Sequence, residues 1–483
     1  MSTPPPEHSF YQKAWQLSHE PEPFSETGYL SSHLAKFNFQ NPLDWTLFRG
    51  RYEEALEVLH EGLTLHPEDP DLNILTGNLR VTLGQYSEAL SHYLKVAPFG
   101  EPSPLHLNIG VLYEMMGDRH KCFDHYRWAA HDPELSLLAS YLLAFPWSEF
   151  SSNPDIIEKI RDWLNNALDR QPVQKESTTH QSPLDILRGL WKGKPSCPLC
   201  GNKETRLLLK DSANQDRPVR ICQNCHIPYV YPQPEFQEVE SWYGNQYFAA
   251  SLDPARDIFR RWKDSMKSGG DLFLPTGKQF SLVFQWLEST GLSDLEQKKP
   301  RKMLDVGCAT GGLIAEFISR GWEADGVELS PSAVGFCQEM GFSVQQGTLD
   351  TLHFPAQSYD LVTLTHVIEH LPDPRKTLTE ACRLLKPGGG LFIRTPNSES
   401  LPRLLAGDPW FSDHDHLFFF GNRPITSLLE SCGFRVIEIK SYVGIDIETW
   451  RHTWDRLRLN DLVRSRINQG NIGDVLLLFA VKQ

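Results

Sequence analysis

The chain holds no apolar stretch long enough to cross a bilayer. The runs near Leu137 to Phe145 and Val475 to Val481 fall far short of the roughly 20 residues a spanning helix needs. Positive charge is scarce too: 47 Lys and Arg stand against 61 Asp and Glu, a formal charge of -14. That balance argues against a broad face for nucleic acid or anionic membrane, while a local basic patch stays open. The opening Met-Ser-Thr-Pro-Pro-Pro-Glu-His has neither the basic nor the apolar segment of a secretory signal. The nine cysteines do not suit a disulfide framework. Nine is odd, and four of them form two Cys-x-x-Cys pairs, which points to metal in a reducing, cytoplasmic setting.

At 483 residues the chain exceeds one core, so about two to four domains are expected. A hydrophobic share of 40% and a charged share of 22% are ordinary for a soluble protein. The pattern divides into a loosely ordered lead-in over 1–40, helical repeats with a cap over 41–170, and a polar linker over 171–194. A metal ribbon over 195–235 follows, then an aromatic segment with connecting helices over 236–300. The α/β domain of Rossmann-like kind, with a seven-stranded sheet, takes 301–483.

Within 41–170 the chain repeats itself. Gly50-Arg-Tyr-Glu-Glu-Ala55, Gly84-Gln-Tyr-Ser-Glu-Ala89 and Gly117-Asp-Arg-His-Lys-Cys122 recur at spacings of 34 and 33, and Gly77 and Gly110 each precede a repeat by seven. The pattern resembles tetratricopeptide (TPR) repeats. Ala55, Ala89 and Cys122 would let helices approach closely, with Tyr52, Tyr86, Tyr93 and Tyr126 filling gaps between neighbours. The resemblance implies a concave surface for a protein partner; the plainer reading is a spacer or a face packed on the α/β domain.

Cys197-Pro-Leu-Cys200 and Cys222-Gln-Asn-Cys225 each aim two thiolates at one point, and together they complete a tetrahedral zinc site. Two strands, 206–209 and 219–221, should lie between them. Four thiolates leave no open position, so the Zn2+ would be structural.

The most informative stretch is Met303-Leu-Asp-Val-Gly-Cys-Ala-Thr-Gly-Gly312, a strand and small-residue turn, followed by a helix and a second strand that ends at Glu328. Strand, turn, helix, strand and acid make the nucleotide-binding half of a doubly wound sheet, in which the acid accepts ribose hydroxyls. Ala309 replaces the middle glycine of the dinucleotide pattern, and Asp305 would repel a phosphate. A cationic ligand with an adenosine end fits better.

This stretch resembles the first motif of class I S-adenosylmethionine-dependent methyltransferases, and later motifs follow in the family's order. The resemblance implies S-adenosyl-L-methionine as cofactor, held by Asp305, Gly307, Ala309, Gly311, Glu328 and Leu329, with Leu349 and Asp350 at the adenine. Thr365-His-Val-Ile-Glu-His370-Leu371 matches the fourth-strand motif and puts Thr365, His366, Glu369 and His370 at the mouth. The ribbon and Tyr243-Gly-Asn-Gln-Tyr247-Phe248 resemble a subset that includes sugar C-methyltransferases. In the loop Trp410 to Phe420, that likeness places the general base at His416 and its orienting acid at Asp415, with His370 as a second catalytic candidate. His414, His416 and Asp413 also admit a metal reading.

The expected activity is therefore methyl transfer to C or O of a small-molecule acceptor, such as a sugar or another metabolite. Two other classes stay open: a TPR-based interaction protein with a non-catalytic methyltransferase domain, and a nucleic-acid or protein methyltransferase. An intact Asp305, Gly307, Glu328 and His370 speak against the first. The acidic balance and the lack of an Asn-Pro-Pro-Tyr or Asp-Pro-Pro-Tyr motif speak against nucleic acid.

Overall fold

The computed structural model describes residues 52–97, 104–133, 135–146, parts of 155–163, 196–209, 217–243, 248–268, 280–289, 301–401, 415–442 and 461–483. The lead-in, the linker over 171–194 and the residues Asp413 and His414 lie outside these.

The N-terminal part is built from helix pairs. α1 (Tyr52–Leu65) precedes the pair α2 (Pro70–Thr82) and α3 (Tyr86–Val96); α4 (Leu105–Met115) and α5 (Arg119–Ala129) form the next, and α6 (Ser136–Ala144) follows. Each pair starts and turns for local reasons. Asp69 caps α2 by accepting from Leu72 N at 3.0 Å, with Pro70 in the first turn. Gly84 and Gly117 take left-handed φ of +73° and +82° between the paired helices. The repeated glycines serve close approach. A Cβ on Gly77 would enter the ring of Tyr93, and one on Gly110 would sit 2.5 Å from Tyr126 Cε1. Tyr93 and Tyr126 therefore interlock the two helices of one pair. The sequence placed them between neighbouring repeats, because the glycine partner lies a helix away and is invisible to a spacing count.

α4 is buried from Leu105 to Tyr113. Part of its cover comes from the other end of the chain. α7 (Phe236–Trp242), α8 (Ala249–Ser268) and α9 (Ser281–Ser289) lead into the catalytic domain, and that domain's last helix, at Asp461–Gln469, lies against α4 and α2. Leu462, Val463, Ile467 and Ile472 join the core of the helix pairs. Arg466, fully buried, places Nε 3.4 Å from Glu114 Oε2 and donates to the Phe145 carbonyl; Tyr141 OH donates to the Arg466 carbonyl at 2.8 Å. One face of the helix pairs is thus packed on the catalytic domain.

That domain is a seven-stranded sheet in the order β6-β5-β4-β7-β8-β10-β9. Its strands are β4 (Lys302–Val306), β5 (Glu323–Glu328), β6 (Ser343–Gln346), β7 (Tyr359–Thr365), β8 (Leu385–Pro396), β9 (Phe434–Tyr442) and β10 (Val475–Lys482). The helices α10 (Gly312–Ser319), α11 (Pro331–Glu339), α12 (Pro374–Leu384), α13 (Asn422–Ser431) and α14 (Asp461–Gln469) complete the set among the described residues. β10 is antiparallel to both neighbours, as expected of a last strand inserted before the edge. The run Lys386-Pro-Gly-Gly-Gly390, a turn by its residue types, is absorbed into β8 as an irregularity opposite Tyr359 to Leu361, with Gly388 at φ +73°. All parallel strands end on one side, and the crossover of strand order between β4 and β7 opens the crevice there.

The ribbon is a three-stranded sheet: β1 (Thr205–Leu209), β2 (Val219–Cys222) and β3 (Pro228–Val230). The third strand was not foreseen. Its residues read as an aromatic stretch after the last cysteine, and Pro228 weakens the strand signal. Cys197, Leu199, Cys222, Ile227 and Tyr229 belong to the same buried core as Leu304, Leu364, Leu417 and Phe418. The ribbon is therefore fused to the catalytic domain.

Candidate active site

The end of β4 delivers Asp305 and the turn Gly307 to Gly311. Gly307 sits at φ +70°, and a Cβ there would strike Val367 Cγ2, so the approach requires glycine. The turn's amides face inward: Gly307 N and Cys308 N donate to the Val327 carbonyl, Gly311 N to the Cys308 carbonyl, and Ala309 N to Glu328 Oε2 at 2.9 Å. Amides so engaged do not make a nest for pyrophosphate, in agreement with the sequence reading. Glu328 also accepts from Ser330 N at 2.8 Å. Its carboxylate is fixed at the end of β5 by these backbone donors.

Asp305 and Glu328 are both buried, 4% and 5% exposed. Burial, with the neighbouring Glu328 charge, pushes the Asp305 carboxyl up to about 7 against the lowering bond from Thr363 Oγ1 at 2.6 Å. Burial raises Glu328 as well. Two desolvated acids at the strand ends suit a cation. Asp350 adds an orphan: its Oδ1 is buried without a hydrogen-bond partner, while Oδ2 lies 3.3 Å from Lys376 Nζ. An acceptor so placed, after β6, can take the exocyclic amine of adenine. Leu349 is buried beside it, and Thr365 Oγ1 is a second buried group without a partner.

At the end of β7 stands a second cluster, organised by Glu369. Its Oε1 accepts from His366 Nδ1 at 3.2 Å and its Oε2 from Thr395 Oγ1 at 2.9 Å. Burial alone would raise this acid, but the bond from His366 and the charges of His370, His366 and His416 hold it down to about 2. His370 Nδ1 lies 2.9 Å from the Asp415 carbonyl and 3.4 Å from Asp415 Oδ2. A carbonyl only accepts, so Nδ1 carries the hydrogen and Nε2 the lone pair. That Nε2 is 3.9 Å from Glu369 Oε1. Tyr243 OH donates to Asp415 Oδ2 at 3.3 Å, and its ring meets the His370 ring edge-on.

The acid expected to orient His416 is thus found beside His370. His416 is 7% exposed, and burial together with the His370 charge lowers it to about 3. Its ring packs on His370 with centroids 4.8 Å apart. Ligand atoms of Glu369, His370 and His416 all fall within 4.8 Å of one another; the metal set suggested from the sequence, through His414, lies outside the described residues. Glu369 was underrated from the sequence, where it was one of four residues at the mouth. Its signal was the Glu-His pair at the end of a buried strand.

The described domain is thus a doubly wound α/β sheet with buried acids at the ends of β4 and β5 and a histidine–carboxylate cluster at the end of β7. The family model described as "Methyltransferase domain" matches residues 277–439. The ubiquinone biosynthesis O-methyltransferase of Azoarcus sp. (strain BH72) is 34% identical over 171 residues, 32% of this chain and 68% of that protein. That of Coxiella burnetii (strain Dugway 5J108-111) is 29% identical over 206 residues, 39% of this chain and 86% of that protein. A solved S-adenosylmethionine-dependent methyltransferase from Archaeoglobus fulgidus shares 24% identity over 42% of this chain and 94% of its own, with a TM-score of 0.31. Through this domain the chain belongs to the class I S-adenosylmethionine-dependent methyltransferases.

Proposed function

We propose that the protein transfers a methyl group to a hydroxyl of a small-molecule acceptor, with His370 as general base. The observation that carries this is the arrangement around His370: Nδ1 fixed by the Asp415 carbonyl, and Glu369 3.9 Å from Nε2. S-adenosylmethionine, when bound, supplies the methyl group on a sulfonium. Asp305, Glu328 and Asp350 would hold it through its ammonium, ribose and adenine, with Gly307, Ala309 and Gly311 giving close backbone approach and Leu329, Leu349, Thr365 and His366 lining the site. His370 Nε2 takes the acceptor's proton, and the Glu369 carboxylate stabilises the imidazolium that forms. Asp415 and Tyr243 orient the ring. His416, lowered to about 3 and enclosed, packs against His370 and is the weaker base.

Oxygen as the receiving atom is suggested by the O-methyltransferase relatives and leaves a sugar hydroxyl or a hydroxyaryl group as acceptor. Incubation with methyl-labelled S-adenosylmethionine and sets of dihydroxyaromatics and sugars tests this. Labelled methyl ether in the products supports it; label only on carbon or nitrogen refutes it.

The four cysteines form a structural zinc site in this reading. Cys197 and Cys225 Sγ lie 3.6 Å apart, and Cys200 and Cys222 Sγ 3.5 Å. A tetrahedron with zinc–sulfur bonds of ~2.3 Å has edges of about 3.8 Å, so the thiols already approximate it. A second reading of Glu369, His370 and His416 is a divalent cation that would activate the acceptor oxygen, favoured by their convergence. The repeats contribute a packed wall at the catalytic domain, and a protein partner would use the faces α14 leaves open.

A further inference from the structure

The third ribbon strand has two edges, and both are used. One pairs with β2. On the other, Val230 N donates to the Leu417 carbonyl at 3.0 Å, and Phe419 N donates to the Pro228 carbonyl at 3.0 Å. Tyr229 stands opposite Phe418 as an antiparallel bridge. The Gln233 side-chain amide adds a tie, donating to the Val230 carbonyl at 2.8 Å and to the Leu417 carbonyl at 3.5 Å. Phe419 completes the ribbon's own small core with Val219 and Val230.

The same strip of chain is held from its other side by the catalytic cluster. Leu417 N and Phe418 N donate to the Glu369 carbonyl at 2.8 and 3.2 Å. Asp415, two residues before Leu417, presents the carbonyl that fixes His370 Nδ1. Only His226 and Ile227 separate Cys225 from Pro228, so the cysteine site anchors the strand at very short range.

We propose that Pro228–Val230 is a positioning strand for the acceptor site: the four-cysteine site sets the strand, the strand sets Asp415 to Phe419, and that loop sets the His370 ring. The catalytic half of this statement rests on His370 as base; the structural half does not. The physical case is one of stiffness. Asp415 to Phe419 has no regular secondary structure of its own, and its orientation comes from partners on both sides. The face of the sheet turned to the α/β domain is packed there largely through Cys197, Cys222 and their neighbours. Its other face has, among the described residues, only the small cluster of Val219, Val230 and Phe419, so loss of the metal loosens the strand even though the sheet stays docked. Loss of metal would therefore reach the base through main-chain bonds, without touching Asp305 or Glu328.

The test uses the full chain and three perturbations: Val230→Pro, which deletes one donor; Gln233→Ala, which keeps every backbone donor; and removal of bound metal by a chelator. Amide exchange, S-adenosylmethionine calorimetry and methyl-transfer kcat are measured for each. Exchange at Leu417 to Phe419 should quicken by roughly tenfold or more in Val230→Pro and in the metal-stripped chain, and by about threefold in Gln233→Ala. Peptides spanning 302–328 should keep their exchange rates, and cofactor affinity should stay within about twofold. The kcat should fall by roughly tenfold to a hundredfold, as loss of base alignment costs. Unchanged loop exchange in Val230→Pro and in the stripped chain would overturn the proposal. If Val230→Pro unfolds the chain, seen as fast exchange in 302–328, unchanged loop exchange in Gln233→Ala and the stripped chain overturns it equally. A wild-type chain that moves no methyl group would defeat the reading of His370, while the exchange data would still decide the structural half.

Discussion

Cofactor binding should release a proton, and Asp305 is its source. In the free protein this carboxyl titrates near 7, because it is buried and faces Glu328. Its ordinary value is about 3.9. A cationic ligand beside it favours the anion and returns the pKa toward that ordinary range. The sign follows directly. Below pH 7 the free site holds a proton that the occupied site does not, so acid opposes binding. With the free value at about 7 and the bound value near 4, binding releases about 0.9 proton at pH 6 and about 0.5 at pH 7. The association constant should fall about fivefold from pH 7 to pH 6, and by nearly another tenfold to pH 5. The ligand's α-amino group, with an ordinary pKa of about 7.7–8.0, stays charged throughout this window. Calorimetry at pH 6 in two buffers of different ionisation enthalpy counts the protons. Asp305→Asn should bind more weakly at pH 7 and lose most of the slope between pH 6 and 7. An affinity flat over that range in the native protein, with no proton released, would refute the assignment. The same shift bears on folding: the unliganded native state binds this proton where the unfolded chain does not, so Asp305 lowers stability progressively as pH rises from about 4 to 7.

Other consequences concern the packing. Gly110→Ala forces a methyl group into the Tyr126 ring and should cost about 1–3 kcal/mol, read as a lowered midpoint in urea for the helical part. Arg466→Met removes the guanidinium facing buried Glu114 and should cost about 3–5 kcal/mol, read as faster proteolysis between the helix pairs and the α/β domain; a proteolysis rate equal to wild type would show that α14 is not the tie. Glu328→Gln weakens the acceptor for ribose hydroxyls and turns an amide NH2 toward the Ala309 or Ser330 N–H, since both carboxylate oxygens accept; it should raise the cofactor Kd by about tenfold at pH 7 and lower the melting temperature as well, by the roughly 1–3 kcal/mol that a buried donor without its acceptor costs.

The α/β domain was legible because its signals are local. In the sequence the runs 302–306, 343–346 and 434–442 read as strands between turn signals, and they are found with those bounds, the first buried inside the sheet and the other two at its edges. The strand-end place of Glu328, the turn at Gly307 and the convergence of the four cysteines were legible for the same reason: each follows from a residue type at a fixed offset. What the sequence hid was pairing at long range. Asp415 and His416 are neighbours in the chain, yet the Asp415 carbonyl and carboxylate both face His370, 45 residues away. Tyr243 reaches Asp415 across 172 residues. Pro228 to Val230 looked like an aromatic tail because its strand partners are β2 and a loop nearly 190 residues on. The sequence suggests a helical insert over 448–466 that walls the pocket; of it the described residues hold only 461 onward, in α14, and the packing of that helix on α4 and α2 could not be read from its own pattern.

The most direct measurement compares single-turnover methyl transfer by the native protein with that of His370→Gln and His416→Gln, all saturated with S-adenosylmethionine. The account predicts a loss of roughly 10²–10⁴-fold for His370→Gln, and a much smaller loss for His416→Gln. A His370→Gln protein that transfers at the native rate, or a loss confined to His416→Gln, would contradict it.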